Sequence, residues 1–197
     1  MSIPINQVSS YWEKRASEQG ARTVGFANGP MNVQDKEYKI RFNFISPHLN
    51  KEASTLDYGC GTGRYAPFYD KNNYIGADIT QSLLDIAISQ HPTYSFVKLS
   101  NVGDIPNAEF DTFFTATVLQ HNSDDSVRLI FSNLRKIKSK NLQFILYENS
   151  QAQTCHVKGR SPSWYFDIIS DLFQVKAFAE SEHIIHGERH SLTKIQT

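Results

Sequence analysis

From position 54 onward, short runs rich in β-branched and aromatic residues alternate with segments whose apolar positions recur at helical spacing. The runs at 54–58, 74–78, 94–99, 110–117 and 142–148 are predicted strands, each separated from the next by enough chain for a crossover. Between them, 80–90 (TQSLLDIAISQ) opens at Thr80 as a helix cap. The segment 124–137 carries Val127, Ile130, Phe131, Leu134 and Ile137 on one helical stripe. Beyond the fifth strand, 162–171 reads as a helix opened by Pro162, and 172–179 and 188–195 as two consecutive strands whose short connection favours an antiparallel pair. This alternation predicts an α/β fold, a doubly wound and mostly parallel sheet. The first 50 residues hold helical patterns at 7–19 and 35–49 joined by GARTVGFANGPMN. About 50 residues seldom build a core of their own, so 1–50 is read as a helical lid on a domain of 51–197, one structural domain in all.

Composition narrows the function classes. Lys and Arg total 20, as do Asp and Glu, for a formal charge of +0. Nucleic-acid and anionic-membrane binders usually carry an excess of positive charge, so neither class is favoured. The chain's 13 Phe, 9 Tyr and 2 Trp supply the large buried areas that disordered sequences lack. Cys60 and Cys155 are too few for a disulfide framework and lack the paired spacing of a zinc site. No signal-peptide core and no run of about 20 apolar residues occurs, so a cytoplasmic location is expected. Nothing in the sequence fixes an oligomeric state.

The chemistry is concentrated in STLDYGCGTG, where a strand ends in Asp57 and runs into Gly59, Gly61 and Gly63. Glycines permit a tight turn and close approach of a ligand to the backbone, and a following helix would direct N–H groups at that ligand. Gly59 and Gly61 match the first two glycines of a dinucleotide fingerprint, but Arg64 occupies the third position, which disfavours NAD. Further on, YIGAD sets Asp78 at the end of the second strand, where a carboxylate can accept hydrogen bonds from both hydroxyls of a ribose.

With LDYGCGTG as first motif and YIGAD as acidic second, the chain over about 50–195 resembles the class I S-adenosylmethionine-dependent methyltransferases. The resemblance implies a seven-stranded, Rossmann-like sheet with its last strand antiparallel, and S-adenosylmethionine as cofactor. Asp57, Gly59, Cys60, Gly61 and Gly63 would border its methionine portion, Asp78 its ribose, and Ile79 its adenine. Asn101, aligned on Ile105-Pro106, would meet the adenine amino group, with Asp104 as the nearby alternative. After strand four, Leu119, Gln120 and His121 would face the cleft. Some quinone-directed relatives bind a metal through an acidic residue before that histidine; Gln120 stands here, and no metal site is expected.

Methyl transfer is an in-line displacement that needs alignment and exclusion of water, with a base only where the acceptor holds a proton. His121 is the first candidate base, against a reading as a loop-packing residue. Glu148 follows, against a loop anchor, and then His156. Tyr11 and Arg15 are lid contacts on the acceptor side, with packing of the first helix as the alternative for Tyr11. Arg160 is either a substrate-anion ligand or a surface arginine. The cluster His183, His186 and His190 lacks an HExxH helix or cysteine partners. The expected activity is methyl transfer to oxygen or nitrogen of a small-molecule acceptor. The rivals are a nucleic-acid or protein methyltransferase, favoured if Arg135, Lys136, Lys138 and Lys140 form a patch by the cleft, and a non-catalytic S-adenosylmethionine-binding module.

Overall fold

The computed structural model describes residues 7–20, 23, 31–137, 141–154, 156–185 and 187–197, with backbone only for 31–35. Phe26, Lys138, Lys140, Cys155 and His186 lie outside the described residues. Seven strands, β1 (Thr55–Tyr58), β2 (Tyr74–Asp78), β3 (Ser95–Lys98), β4 (Thr112–Ala116), β5 (Gln143–Asn149), β6 (Ala177–Ile185) and β7 (Glu188–Gln196), form one sheet in the order β3-β2-β1-β4-β5-β7-β6. The first five pair in parallel, and β7 is antiparallel to both β5 and β6. The expected doubly wound sheet with an antiparallel last strand is therefore present.

The helices are α1 (Val8–Gln19), α2 (Met31–Ile45), α3 (Gln81–Gln90), α4 (Asp124–Leu134) and α5 (Pro162–Leu172). Strand alternation sorts the core into two layers. Leu56, Phe113, Phe144 and Leu146 turn to one face, where Val127, Ile130 and Phe131 of α4 and Tyr165 and Ile169 of α5 cover them. Phe114, Ile145, Tyr147 and Leu192 turn to the other and meet Ile45 and Phe44 of α2. The first 50 residues thus do more than lie over a cleft, since α2 supplies part of the second core layer.

Two expectations about elements fail for physical reasons. No α-helix follows the glycine turn; residues 59–73 hold only two short 3₁₀ turns, Ala66–Phe68 and Lys71–Asn73. Pro67 lacks the N–H that a continuing helix needs, and Asp70 Oδ1 accepts from Asn72 N at 3.1 Å to start another turn instead. The sixth strand begins at Ala177 rather than 172, because Leu172, Phe173 and Val175 pack on the core as α5 ends. Its partner register, Ile185 opposite Glu188, then closes the hairpin over two positions, with Gly187 at φ 79°. No described helix is long and apolar enough to cross a membrane.

Candidate active site

A cavity of about 490 Å³ opens at the carboxyl ends of β1, β2 and β4, walled by α1 and α2. This is where open α/β sheets bind ligands, and the volume lies in the range of roughly 300–1,000 Å³ common for such pockets.

The β1 end is built by the glycine turn. Gly59, Gly61 and Gly63 all have positive φ. Gly59 N and Cys60 N donate to Ala77 O at 2.7 and 3.1 Å, and Gly61 N donates to Asp78 Oδ2 at 2.8 Å, tying the turn to β2. A Cβ at Gly59 would sit 2.5 Å from a Val118 methyl, so only glycine lets the turn pass under the β4 loop. Gly59 and the buried Cys60 line the cavity, whereas Gly61 and Gly63 shape the turn from behind. Arg64, where the dinucleotide pattern needs glycine, lines the cavity itself.

Asp57 and Asp78 both line the cavity from buried positions. Burial drives the Asp57 carboxyl up, and neighbouring Asp78 adds to this, while the hydrogen bond from Tyr74 Oη at 2.7 Å opposes; its pKa is pushed up to about 7. Burial also raises Asp78, against the hydrogen bonds from Gly61 N and from Thr80 N to Oδ1 at 2.8 Å. Each Asp78 oxygen accepts one backbone bond and retains capacity for another. Ile79, Leu83, Leu99 and Val102 continue the wall as an apolar slot. Asn101 does not reach it. Its N–H is held by Asp104 Oδ2 at 2.8 Å, Asp104 N returns to Asn101 O at 3.2 Å, and neither residue lines the cavity. The expected adenine contact of Asn101 is corrected accordingly: this tight turn spends itself on its own closure.

The β4 end is fixed by Glu148. Its Oε1 accepts from Thr115 Oγ1, Val118 N and Leu119 N at 2.9–3.1 Å, and its Oε2 from Gln120 N at 3.1 Å. With both oxygens so engaged and no exposure to the cavity, Glu148 anchors the loop and does not touch a reacting atom. Leu119 likewise points into the core, not the cleft. Gln120 and His121 do line the cavity. His121 Nδ1 donates to His156 O at 2.8 Å, which leaves Nε2 as the lone-pair nitrogen, 3.3 Å from Gln120 Nε2. Burial, with smaller contributions from His156 and Arg15, lowers its pKa to about 4 against that hydrogen bond, so the ring is neutral near pH 7. Arg160 is neither a substrate ligand nor a surface residue. Its buried guanidinium meets Asp124 Oδ1 (2.9 Å), Leu119 O (2.9 Å) and Asn122 O (2.6 Å), bracing the same loop.

Helix α1 is docked by Glu13, whose carboxylate accepts from Ser82 Oγ at 2.7 Å and from Gln81 N, thereby capping α3 in place of the Thr80 side chain. Although burial acts to raise it, these bonds hold Glu13 below its ordinary value. Trp12 and Arg15 face the cavity; Tyr11 does not, its ring lying edge-on to Trp12 with its oxygen accepting from Arg15 Nη1 at 3.4 Å. The expected Tyr11 contact passes to Trp12, which packs edge-on against His121. Tyr38 and Arg41 of α2, and Glu188 and His190 of β7, complete the far wall. Sequence reading missed these last residues, apart from His190, which it had weighed only as part of a metal cluster. Among the described residues, no group of three His, Cys, Asp or Glu is placed to hold a metal ion.

Residues 55–141 match the family model of a methyltransferase domain. Among solved structures, magnesium protoporphyrin IX methyltransferase from Synechocystis with bound S-adenosylhomocysteine superposes with a TM-score of 0.72 at 14% identity, covering 98% of this chain and 99% of that one. The chain therefore has the fold of that methyltransferase. A complex of DhpI with S-adenosylhomocysteine gives a TM-score of 0.69 at 15% identity (96% and 95% covered). A methyltransferase from Anabaena variabilis gives 0.67 at 15% (100% and 97%). A search among curated proteins gives no match. The residues at this site would suit S-adenosylmethionine on chemical grounds. An apolar slot borders a carboxylate with spare acceptor capacity, beside a turn whose glycine cradle a single Cβ would fill.

Proposed function

We propose that this protein is an S-adenosylmethionine-dependent methyltransferase that transfers the methyl group to an oxygen or nitrogen of a small molecule held between α1, α2 and the β4 loop. The cavity carries this reading: α1 and α2 line it, and its volume is of small-molecule size. The balanced net charge supports it against a nucleic-acid substrate, and Arg135 and Lys136, at the end of α4, do not line the cavity.

In this reading Asp78 holds the ribose hydroxyls, Ile79, Leu83, Leu99 and Val102 hold the adenine, and Asp57, Gly59 and Cys60 border the methionine portion. Bound S-adenosylmethionine would supply an electrophilic sulfonium methyl for an acceptor lone pair. The protein's part is to align the acceptor and exclude water, with α1 and α2 acting as the lid. His121, neutral near pH 7 with Nε2 unprotonated, exchanges its Gln120 Nε2 donor for an N–H or O–H of the acceptor and so orients it.

Two variants test these roles. Asp78→Asn is expected to weaken S-adenosylhomocysteine binding by about 1.5–3 kcal/mol, through loss of charge-assisted bonds; calorimetry giving wild-type affinity would move the ribose elsewhere. His121→Ala is expected to lower kcat roughly 10²-fold, the low end of acid–base assistance, with cofactor affinity nearly unchanged. Steady-state kinetics showing both falling together would reduce His121 to loop packing. The function itself is tested by incubating the enzyme with methyl-labelled S-adenosylmethionine and a metabolite extract, then locating the label by mass spectrometry. Label in a small molecule is expected. Label only in protein or nucleic acid, or saturable cofactor binding without turnover, would overturn the reading.

A further inference from the structure

His190 lines the cavity from β7 at 3% exposure, and the reaction described above makes no use of it. Most of its ring is held. Tyr147 lies against its face, with centroids 5.3 Å and planes 12° apart, and His183 meets it edge-on at 6.1 Å. Glu188 Oε2, fixed by a hydrogen bond from Asn149 Nδ2 at 2.8 Å, stands 4.0 Å from Nε2. The buried Nδ1 meets no hydrogen-bond partner among the described residues. Buried polar atoms are seldom left so, and a ring fixed in place at a cavity wall with an open nitrogen points to a ligand.

The surroundings say what that ligand must offer. A gap of 4.0 Å is too long for a hydrogen bond, but the Glu188 carboxylate beside Nε2 favours the ring proton there over Nδ1. Burial first, and then Arg41 and His183, lowers the His190 pKa to about 4, so the ring is neutral near pH 7. Nδ1 then carries a lone pair, and what it lacks is a donor. Sheet order fixes where that donor sits. His190 stands opposite Asn149 on β5, and β5 separates β7 from β4, which sets His190 two strand spacings, roughly 10 Å, from β4. His121, in the turn after β4, belongs to the reacting end in the reading above. One hydroxyl or amine is too small to meet both histidines. His121 also exchanges a Gln120 donor to bind an acceptor, whereas His190 Nδ1 gives up nothing.

We propose that His190 selects the methyl acceptor, its Nδ1 accepting a hydrogen bond from a hydroxyl or amine that the acceptor carries apart from the atom to be methylated. This rests on the small-molecule reading above and names the substrate class for the same site: a small molecule whose methylated oxygen or nitrogen is accompanied by a second, unmethylated hydroxyl or amine. A contact so far from the reacting atom is made equally in the ground and transition states, so it acts on KM and not on kcat.

The test begins with the product labelled when the enzyme acts on a metabolite extract with methyl-labelled S-adenosylmethionine. Acetylation of that product is expected to add at least one acetyl group away from the methylated atom, located by fragmentation in the mass spectrometer. For the acceptor so found, His190→Phe, which keeps a ring against Tyr147, is expected to raise KM roughly fivefold with kcat nearly unchanged. His190→Asn, whose Oδ1 can stand in for Nδ1, recovers part of the loss. An analogue of that acceptor lacking the remote group is expected to show the same rise in KM with the wild-type enzyme and no further rise with His190→Phe. Calorimetry with S-adenosylhomocysteine checks that each variant is folded, its affinity staying at the wild-type value. A product that takes no acetyl group away from the methylated atom, or an analogue whose KM equals that of its parent in the wild-type enzyme, overturns the proposal while leaving small-molecule methylation standing, and neither result depends on a variant. A fall in kcat with KM unchanged in His190→Phe overturns it as well. Label in no small molecule overturns both readings.

Discussion

Glu148→Ala is expected to lower the unfolding free energy by about 3–5 kcal/mol, the cost of leaving several buried neutral donors without an acceptor, and to weaken cofactor binding and turnover together. Thr115 Oγ1 and the N–H groups of Val118, Leu119 and Gln120 all lose their acceptor at once. An unsatisfied buried donor costs about 1–3 kcal/mol, but two effects keep the total below a simple sum. Water can enter the space left by the side chain. Burial also raises the Glu148 pKa against its four donors, so its stabilising contribution is complete only below the ordinary carboxylate range and declines as pH rises through the folded value. Glu148→Gln should lose much less, because three of the four donors share Oε1 and only Gln120 N would face an amide NH₂. Urea unfolding at neutral pH distinguishes these outcomes; an alanine variant as stable as wild type would show that the loop has another anchor.

Gly59→Ala is expected to destabilise by about 2–5 kcal/mol and to abolish measurable S-adenosylhomocysteine binding, from about 1–2 kcal/mol of left-handed backbone strain and about 1–3 of overpacking. The backbone stands at φ 76°, and the new methyl would lie 2.5 and 2.6 Å from the two Val118 methyls. The two costs can be separated. Gly59→Ala with Val118→Ala removes the collision but not the strain, and should recover about half of the stability without full cofactor affinity. Binding within twofold of wild type in the single variant would mean that the turn adapts.

The sequence made the sheet and the cofactor end readable because both rest on local signals. β-rich runs separated by crossovers are short-range patterns, and Asp57, Gly59, Cys60, Asp78 and Ile79 stand in two motifs at strand ends, all five lining the cavity. Gly61 and Gly63 belong to the same motif yet act through backbone shape, a distinction spacing alone does not carry. The acceptor wall was hidden because nonlocal pairing assembles it. Glu188 and His190 arrive on β7 through its antiparallel ladder with β5, where His190 stands opposite Asn149. Tyr38 and Arg41 lie three apart on α2, a spacing that reads as an ordinary polar helix face. Glu148 and Leu119 were placed at the right strand ends, but which way a side chain turns there depends on the 3₁₀ turn Leu119–His121, which has no sequence signature of its own. Asn101 was misassigned for a similar reason: its turn is closed by Asp104 three residues on.

The account stands most directly on the cavity at the ends of β1 and β2 being the S-adenosylmethionine site. Isothermal calorimetry of the wild-type protein with S-adenosylhomocysteine and with NAD, repeated on Asp78→Asn, tests this in one series. The account predicts one S-adenosylhomocysteine site per chain, a loss of affinity of roughly tenfold or more in the variant, and no heat from NAD. Saturable NAD binding with no response to S-adenosylhomocysteine, or equal S-adenosylhomocysteine affinity in the two proteins, would contradict it.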